Sequence, residues 1–231
     1  MLEVRNVSKR FGGLTALEGC SFRVEAGQIF GVVGPNGSGK TTLFHIIGGL
    51  LAPDGGDIVL RDRSVRGWRA HRLAQLGVGR TFQVSRVFGK LTCRQNIEIT
   101  WTLFRNRRPK PVDFYLDFFG LAELGDVLAK DLSHGQQKLL EFATVSAMEP
   151  ELLLLDEPTA GIHPALIGRI QELIAALRAQ GRTVLIVEHT LRVVDALCDV
   201  VLVLDQGAQV AVGSPAELKA IPRVRQAYYL V

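Results

Sequence analysis

Little in this chain would fasten it covalently or anchor it in a bilayer. Only three cysteines, Cys20, Cys93 and Cys198, occur in 231 residues. They are odd in number, far apart and match no disulfide, redox or metal-binding spacing, so a reducing cytosol is the expected setting. No window approaches the ~18 uncharged apolar residues that a membrane-spanning helix needs. The start, Met1-Leu2-Glu3-Val4, has no basic stretch leading into an apolar one, and no secretory leader is expected. Internal repeats, low-complexity tracts and coiled-coil heptads are missing too, which removes solenoids and long rods. Charge of one sign is barely in excess: 27 basic against 23 acidic residues leave a formal +4, which suits an anionic neighbour but reads most simply as solvated surface. What is present, 47% hydrophobic and 22% charged residues, describes one medium globular domain, or a domain with a subdomain, long enough for a full core.

One stretch organises the rest. Gly34-Pro35-Asn36-Gly37-Ser38-Gly39-Lys40-Thr41-Thr42 follows the apolar run Ile29-Phe30-Gly31-Val32-Val33, which predicts a buried strand. It precedes Leu43-Phe44-His45-Ile46-Ile47, which predicts the start of a helix. Strand, glycine loop, Lys-Thr and helix are a P-loop in its required context. The glycines let backbone N–H groups turn inward on a phosphate chain, and the helix N-terminus adds unpaired donors and partial positive charge. Lys40 can reach the β- and γ-phosphates, and the Thr41 hydroxyl can ligate Mg²⁺. A nucleoside triphosphate is the expected ligand.

Upstream, residues 2–7 and 20–25 alternate loosely and predict edge-side strands, with Lys9-Arg10-Phe11-Gly12-Gly13 as a turn between them. An aromatic in a turn can simply cap a core, but its place shortly before the P-loop strand makes Phe11 a candidate for stacking on adenine. Downstream, Pro53-Asp54-Gly55-Gly56 predicts a turn, residues 57–60 a strand, residues 69–76 a short helix stopped by Gly77, and residues 78–83 a strand leading into a loop at Gln83. The Gln83 amide oxygen could ligate Mg²⁺ or orient water if that loop faces the phosphates. Residues 96–104 and 112–119 carry helical periodicity, broken by Arg105-Asn106-Arg107-Arg108-Pro109-Lys110-Pro111. That basic run reads as a solvated loop, with contact to lipid headgroups the alternative. No strand is expected between residues 92 and 148, so this segment reads as a helical insertion in an α/β chain.

Ser133 and Gln136 have capping-box spacing ahead of an amphipathic helix expected to run to about Met148. An ordinary helix start explains them; so does a second phosphate-holding N-terminus, and both can hold together. Glu151-Leu152-Leu153-Leu154-Leu155-Asp156-Glu157-Pro158 describes a buried parallel strand delivering carboxylates at its C-terminal end, where α/β sheets place ligands. Asp156 suits Mg²⁺ held through water, and Glu157 suits a general base acting on the attacking water. Pro164 opens a helix expected to reach Gln180 and stop at Gly181. A second buried strand, residues 182–187, ends in Glu188-His189; His189 is either structural or a γ-phosphate contact. Residues 199–204 and 208–213 predict a hairpin around Asp205-Gln206-Gly207, and Ser214-Pro215-Ala216-Glu217 caps a final short helix.

Taken together, these residues resemble the ATP-binding subunit of an ABC transporter along the full chain. Residues 34–42 look like Walker A, Gln83 the Q-loop, Leu132-Ser133-His134-Gly135-Gln136 the signature, residues 152–157 Walker B and His189 the switch histidine, while Phe11 falls where the family's adenine-stacking aromatic does. A generic P-loop kinase or GTPase would lack the signature between Gln83 and Walker B. Arg80-Thr81-Phe82-Gln83, Arg86-Val87-Phe88, Leu91-Thr92 through Asn96-Ile97, Lys9-Arg10-Phe11-Gly12-Gly13-Leu14, Ala160-Gly161-Ile162 and Glu188-His189 resemble the branched-chain amino acid importer type; urea and short-chain amide importers share much of that pattern.

The resemblance implies an α/β fold: a P-loop NTPase (RecA-like) core with an N-terminal antiparallel β subdomain and a helical subdomain insertion. Residues 1–91 and 149–231 would form the core with the β subdomain, and residues 92–148 the helical subdomain carrying the signature. It also implies ATP and Mg²⁺, and a head-to-tail pair in which the signature of one subunit meets the ATP held by Walker A of the other. The partners implied are a second ABC ATPase subunit, alike or different, integral membrane permease subunits and, indirectly, a secreted or periplasmic solute-binding protein, with no nucleic acid. The chain would sit peripherally on the cytoplasmic face of the inner membrane. Export-type and non-transport ABC ATPases are the alternatives. Three positions depart from the family pattern: His134 within the signature, His163 where the D-loop aspartate falls, and Thr190 after the switch histidine.

Overall fold

The computed structural model describes residues 1–103 and 110–225. Residues 104–109, which hold most of the basic run and the end of one expected helix, lie outside the described residues.

The first half of the fold is an antiparallel arm. Strands β1 (Leu2–Phe11) and β2 (Leu14–Val24) form a hairpin, and after β3 (Ile29–Val33) and α1 (Lys40–Ile47) the chain adds β4 (Gly55–Leu60) and the short β5 (Arg63–Ser64). The hairpin strands run further than residues 2–7 and 20–25, and Phe11 is the last residue of β1 rather than part of a turn. Register shifts between Val4 and Val7, Val7 and Lys9, and Lys9 and Arg10 explain the misreading. Bulges of this kind insert residues that break the two-residue alternation. Nor are these edge strands: β1 is flanked by β4 and β2, and β2 by β1 and a strand from the far end of the chain.

The second half is parallel. Helix α2 (Ala70–Gln75) leads to β6 (Val78–Arg80), and the helical stretch follows as α3 (Cys93–Leu103), α4 (Val112–Phe118) and α5 (His134–Ser146). Then come β7 (Leu152–Asp156), α6 (Pro164–Ala179), β8 (Thr183–Val187), α7 (Leu191–Leu197), the hairpin β9 (Val200–Asp205) and β10 (Ala208–Gly213), and α8 (Pro215–Ala220). The helix signals are honoured: Ser133 and Ser214 each close a reciprocal capping box, Pro164 is in the first turn of α6, and Gly181 beyond its end takes φ 85. The β9–β10 turn has positive φ at both Gln206 (47) and Gly207 (80), as a tight turn matched to strand twist requires.

The ten strands of the described residues join one sheet in the order β5-β4-β1-β2-β10-β9-β3-β8-β7-β6. The seam between arm and parallel core is the parallel pairing of Ala208 with Glu18. Strands β3, β7 and β8 are buried on both faces, which is why they read as unbroken apolar runs. Alternate residues serve opposite layers: Leu153 and Leu155 pack with α3, α5 and α6, while Leu152 and Leu154 pack with α1 and the antiparallel arm. At about 2 kcal/mol per buried leucine, that run contributes on the order of 8 kcal/mol before the entropy of ordering it is subtracted.

Candidate nucleotide-binding site

Strand β3 ends at Val33, and the chain then wraps into the loop that α1 continues. At two points the loop admits no side chain. A Cβ on Gly34 would lie 2.3 Å from Ser38 Oγ and 2.4 Å from the Leu204 carbonyl oxygen. Gly39, the N-cap of α1, adopts φ 101, and a Cβ there would lie 2.5 Å from the Ala16 carbonyl oxygen. The Lys40 ammonium folds back and donates to the carbonyls of Gly34 at 2.6 Å and Pro35 at 2.8 Å. Burial lowers its pKa, with the negative charge of Glu157 opposing. From below, the Gly207 N–H donates to the Ser38 carbonyl at 3.1 Å, so the β9–β10 turn braces the loop. The Ser38 hydroxyl is buried without a hydrogen-bond partner among the described residues.

At the end of β7 the two acids diverge. Asp156 is buried beside Arg80, whose guanidinium lies 3.5 Å away. Burial raises the Asp156 carboxyl pKa and Arg80 pulls against it. Glu157 adopts φ 44, a left-handed conformation costing a non-glycine residue about 1–2 kcal/mol. Its N–H donates to the Val187 carbonyl at 3.0 Å, and its carboxylate accepts from Gln83 Nε2 at 2.9 Å and contacts His189 Nε2.

The loop just beyond Glu157 is held by a residue to which sequence reasoning gave no chemical role. Glu188 is buried and accepts four hydrogen bonds. Its Oε1 takes the Thr159 N–H at 3.1 Å and the Thr159 hydroxyl at 2.5 Å, and its Oε2 takes the N–H groups of His189 at 3.1 Å and Thr190 at 3.2 Å. It ties the loop after Glu157 to the loop bearing His189. The available signal was a carboxylate directly after the apolar run Val184 to Val187, much the pattern that singled out Asp156.

The phosphate loop and Glu157 face an open cleft of about 380 Å³. Phe11, Asn36, Gly37, Ser38, Gly39, Lys40, Thr41, Thr42, Gln83, Glu157 and His189 all line it, joined by Leu14, Thr15 and Ala16 of β2. Phe11 is 45% exposed among the residues lining the cleft, with the Lys9 ammonium over its ring at 5.6 Å from the centroid. Gly34 and Pro35 lie beneath the lining as carbonyl partners of Lys40, and Asp156 lies behind it. None of Leu132, Ser133, His134, Gly135 and Gln136 lines this cleft. Ser133 is exposed at the start of α5, and its oxygen accepts the Gln136 N–H at 3.3 Å. His163, also exposed, caps α6 by accepting the Ala165 N–H at Nδ1, 3.3 Å.

Among the described residues no group of three or more His, Cys, Asp or Glu could hold a metal ion by itself. Mg²⁺ in a nucleotide site keeps waters and phosphate oxygens and takes only one or two protein ligands, and Thr41 and Gln83, both lining the cleft, offer neutral oxygens of that kind. The Thr41 hydroxyl, the Gln83 amide oxygen and, through water, Asp156 are the groups that would hold it.

A parallel sheet that aims a phosphate-sized loop and strand-end carboxylates at one cleft is the architecture of the P-loop nucleoside triphosphatases. The family described as ABC transporter matches residues 17–160. The high-affinity branched-chain amino acid transport ATP-binding protein BraF of Pseudomonas aeruginosa is 35% identical over 247 residues, covering 99% of this chain and 97% of its own. The lipopolysaccharide export system ATP-binding protein LptB of Acidithiobacillus ferridurans is 35% identical over 231 residues, covering 99% and 96%. Among solved structures, the ADP conformation of an ATP-binding cassette of an ABC transporter superposes with a TM-score of 0.88 at 31% identity, over 100% of this chain and 99% of that one. The chain belongs to the ABC transporter family as an ATP-binding subunit, and it is an ATPase.

Proposed function

We propose that this ATPase works as half of a head-to-tail pair and powers the import of branched-chain amino acids, or related small polar solutes, across the inner membrane. The observation that carries the pairing is the division of its motifs. Phe11, the loop around Lys40, Gln83, Glu157 and His189 share one cleft, while Ser133 to Gln136 stand outside it on an exposed helix N-terminus. An isolated subunit leaves the phosphates half coordinated, and the missing donors are those a second subunit's signature would supply.

Within the cleft, Phe11 stacks on the base, and the loop's N–H groups with Lys40 hold the phosphates. Glu157 accepts a proton from the attacking water, and His189 and Gln83 fix the orientation of its carboxylate. Mg²⁺, when bound, neutralises the charge on the phosphate oxygens. Residues 92–148 carry the signature toward the partner, and residues 83–91 face the permease subunits. No helix among the described residues is long and apolar enough to cross a membrane, in keeping with a peripheral place on the cytoplasmic face. A solute-binding protein outside the membrane would deliver the cargo.

Import is favoured by the residues around Gln83 and by the similarity to BraF; export is the second reading, because LptB matches at the same identity. Glu157→Gln tests the chemistry. It should retain nucleotide, lose most turnover and shift to a dimer with ATP in size-exclusion chromatography; wild-type turnover would remove Glu157 as the base. Uptake of labelled leucine by vesicles carrying the full transporter separates import from export.

A further inference from the structure

Helix α5 carries a buried ion pair three residues apart, Lys138 and Glu141, just after the signature. Neither group faces the cleft. Their polar atoms converge on one residue of the loop that bears Gln83. The Lys138 ammonium donates to the Phe82 carbonyl at 2.6 Å and lies 3.3 Å from Glu141 Oε2. Glu141 Oε1 accepts the Phe82 N–H at 3.0 Å and the Arg86 N–H at 3.4 Å. Both backbone polar groups of Phe82 are thus gripped by one helix. The gripped carbonyl belongs to the peptide that begins Gln83.

Residues 81–90 form no helix or strand, so the path of this loop depends on such side-chain contacts. The amide of Gln83 in turn donates to Glu157 at 2.9 Å. Hydrogen bonds from α5 to Phe82, the covalent step to Gln83 and the hydrogen bond from its side chain therefore link α5 to the carboxylate of Glu157. Burying two charges is unfavourable for stability, and an apolar pair of similar volume would fill the space without that desolvation. Burial indeed raises the Glu141 carboxyl pKa, with Lys138 opposing. What an apolar pair could not do is fix both polar groups of one backbone residue.

We propose that Lys138 and Glu141 are positioning residues that tie the Gln83 loop to the signature-bearing helix, so that Gln83 meets Glu157 only while α5 is seated. This rests on the site reading above, in which Gln83 and Glu157 serve hydrolysis. The pair acts on turnover through Gln83 rather than on nucleotide affinity.

The test is a cycle on the full chain: Lys138→Met/Glu141→Leu, Gln83→Ala and their combination, with Glu141→Gln as the milder variant should the apolar pair fail to fold. ATP turnover, nucleotide affinity and backbone amide exchange are measured for each. The apolar pair should lower kcat about tenfold with KM for ATP within about twofold, and should have no further effect in the Gln83→Ala background. Exchange at the Phe82 and Arg86 amides should speed up by about tenfold or more, without nucleotide. Glu141→Gln, which keeps an acceptor oxygen, should fall between. An unchanged kcat, an equal loss with and without Gln83, or protected Phe82 and Arg86 amides would overturn the proposal. Wild-type turnover in Gln83→Ala would instead fell the site reading, and amide exchange alone would then decide whether the grip exists.

Discussion

Replacing Glu188 by alanine should cost the protein a large part of its stability. The side chain satisfies three backbone N–H groups and one hydroxyl inside the molecule, and no other acceptor among the described residues meets them. A buried hydrogen bond to a charged group is worth about 1.5–3 kcal/mol, but water entering the vacated space recovers part of the four, leaving a net loss on the order of 4 kcal/mol. Against a total of roughly 5–15 kcal/mol, that is a large fraction. Glutamine is no conservative substitute here, because each carboxylate oxygen accepts two bonds. Whichever way the amide is turned, its NH₂ faces at least one N–H donor, and a loss of about 2–3 kcal/mol is expected. Urea unfolding followed by far-UV circular dichroism, without nucleotide, gives both values from the midpoint and slope. ATP turnover should fall as well, since the loops carrying Glu157 and His189 lose their common tie. A change under about 1 kcal/mol for Glu188→Ala would refute the view that this carboxylate holds the two loops together.

Phe11→Ala should weaken ATP and GTP alike, by about 1–3 kcal/mol, because stacking reads a ring face and not its edge; competition with a fluorescent nucleotide measures both, and loss of only one would contradict stacking. Burial, aided by the positive charge of Arg80 and opposed by Asp156, lowers the pKa of His45. The unfolded chain takes up that proton near pH 6.5 while the folded chain resists until lower pH, so stability falls as pH drops through this window. His45→Gln should flatten the decline in urea midpoint between about pH 7 and 5, and an unaltered decline would show that His45 is not its source.

How much of this was legible beforehand depended on the range of the interaction. Strands β7 and β8 were read correctly because burial on both faces leaves the unbroken apolar runs Leu152 to Leu155 and Val184 to Val187, and the acids that end such runs announce the site. The P-loop was legible because its glycines answer to local geometry at Gly34 and Gly39. Strand β1 was cut short by bulges. The start of α3 carries a reciprocal cap between Thr92 and Gln95 that went unread. Pairings across long stretches left no local trace: Glu188 meets Thr159 across 29 residues, and Arg80 meets Asp156 across 76. Either acid could have been taken for solvent-facing until the fold brought its partner alongside.

The position of β3 in the sheet has a consequence for the order in which the protein is made. Its two neighbours are β8 and β9, with Ile29 opposite Val184 and Phe30 opposite Val200. The phosphate loop is therefore synthesised well before the strands that wall it in and before the turn at Gly207 that braces it. At roughly 5–20 residues per second, the ribosome takes about ten to thirty seconds to span that gap. During that interval β3, apolar on both faces, has no partner strand, and the nascent chain holds a nucleotide motif without a nucleotide site.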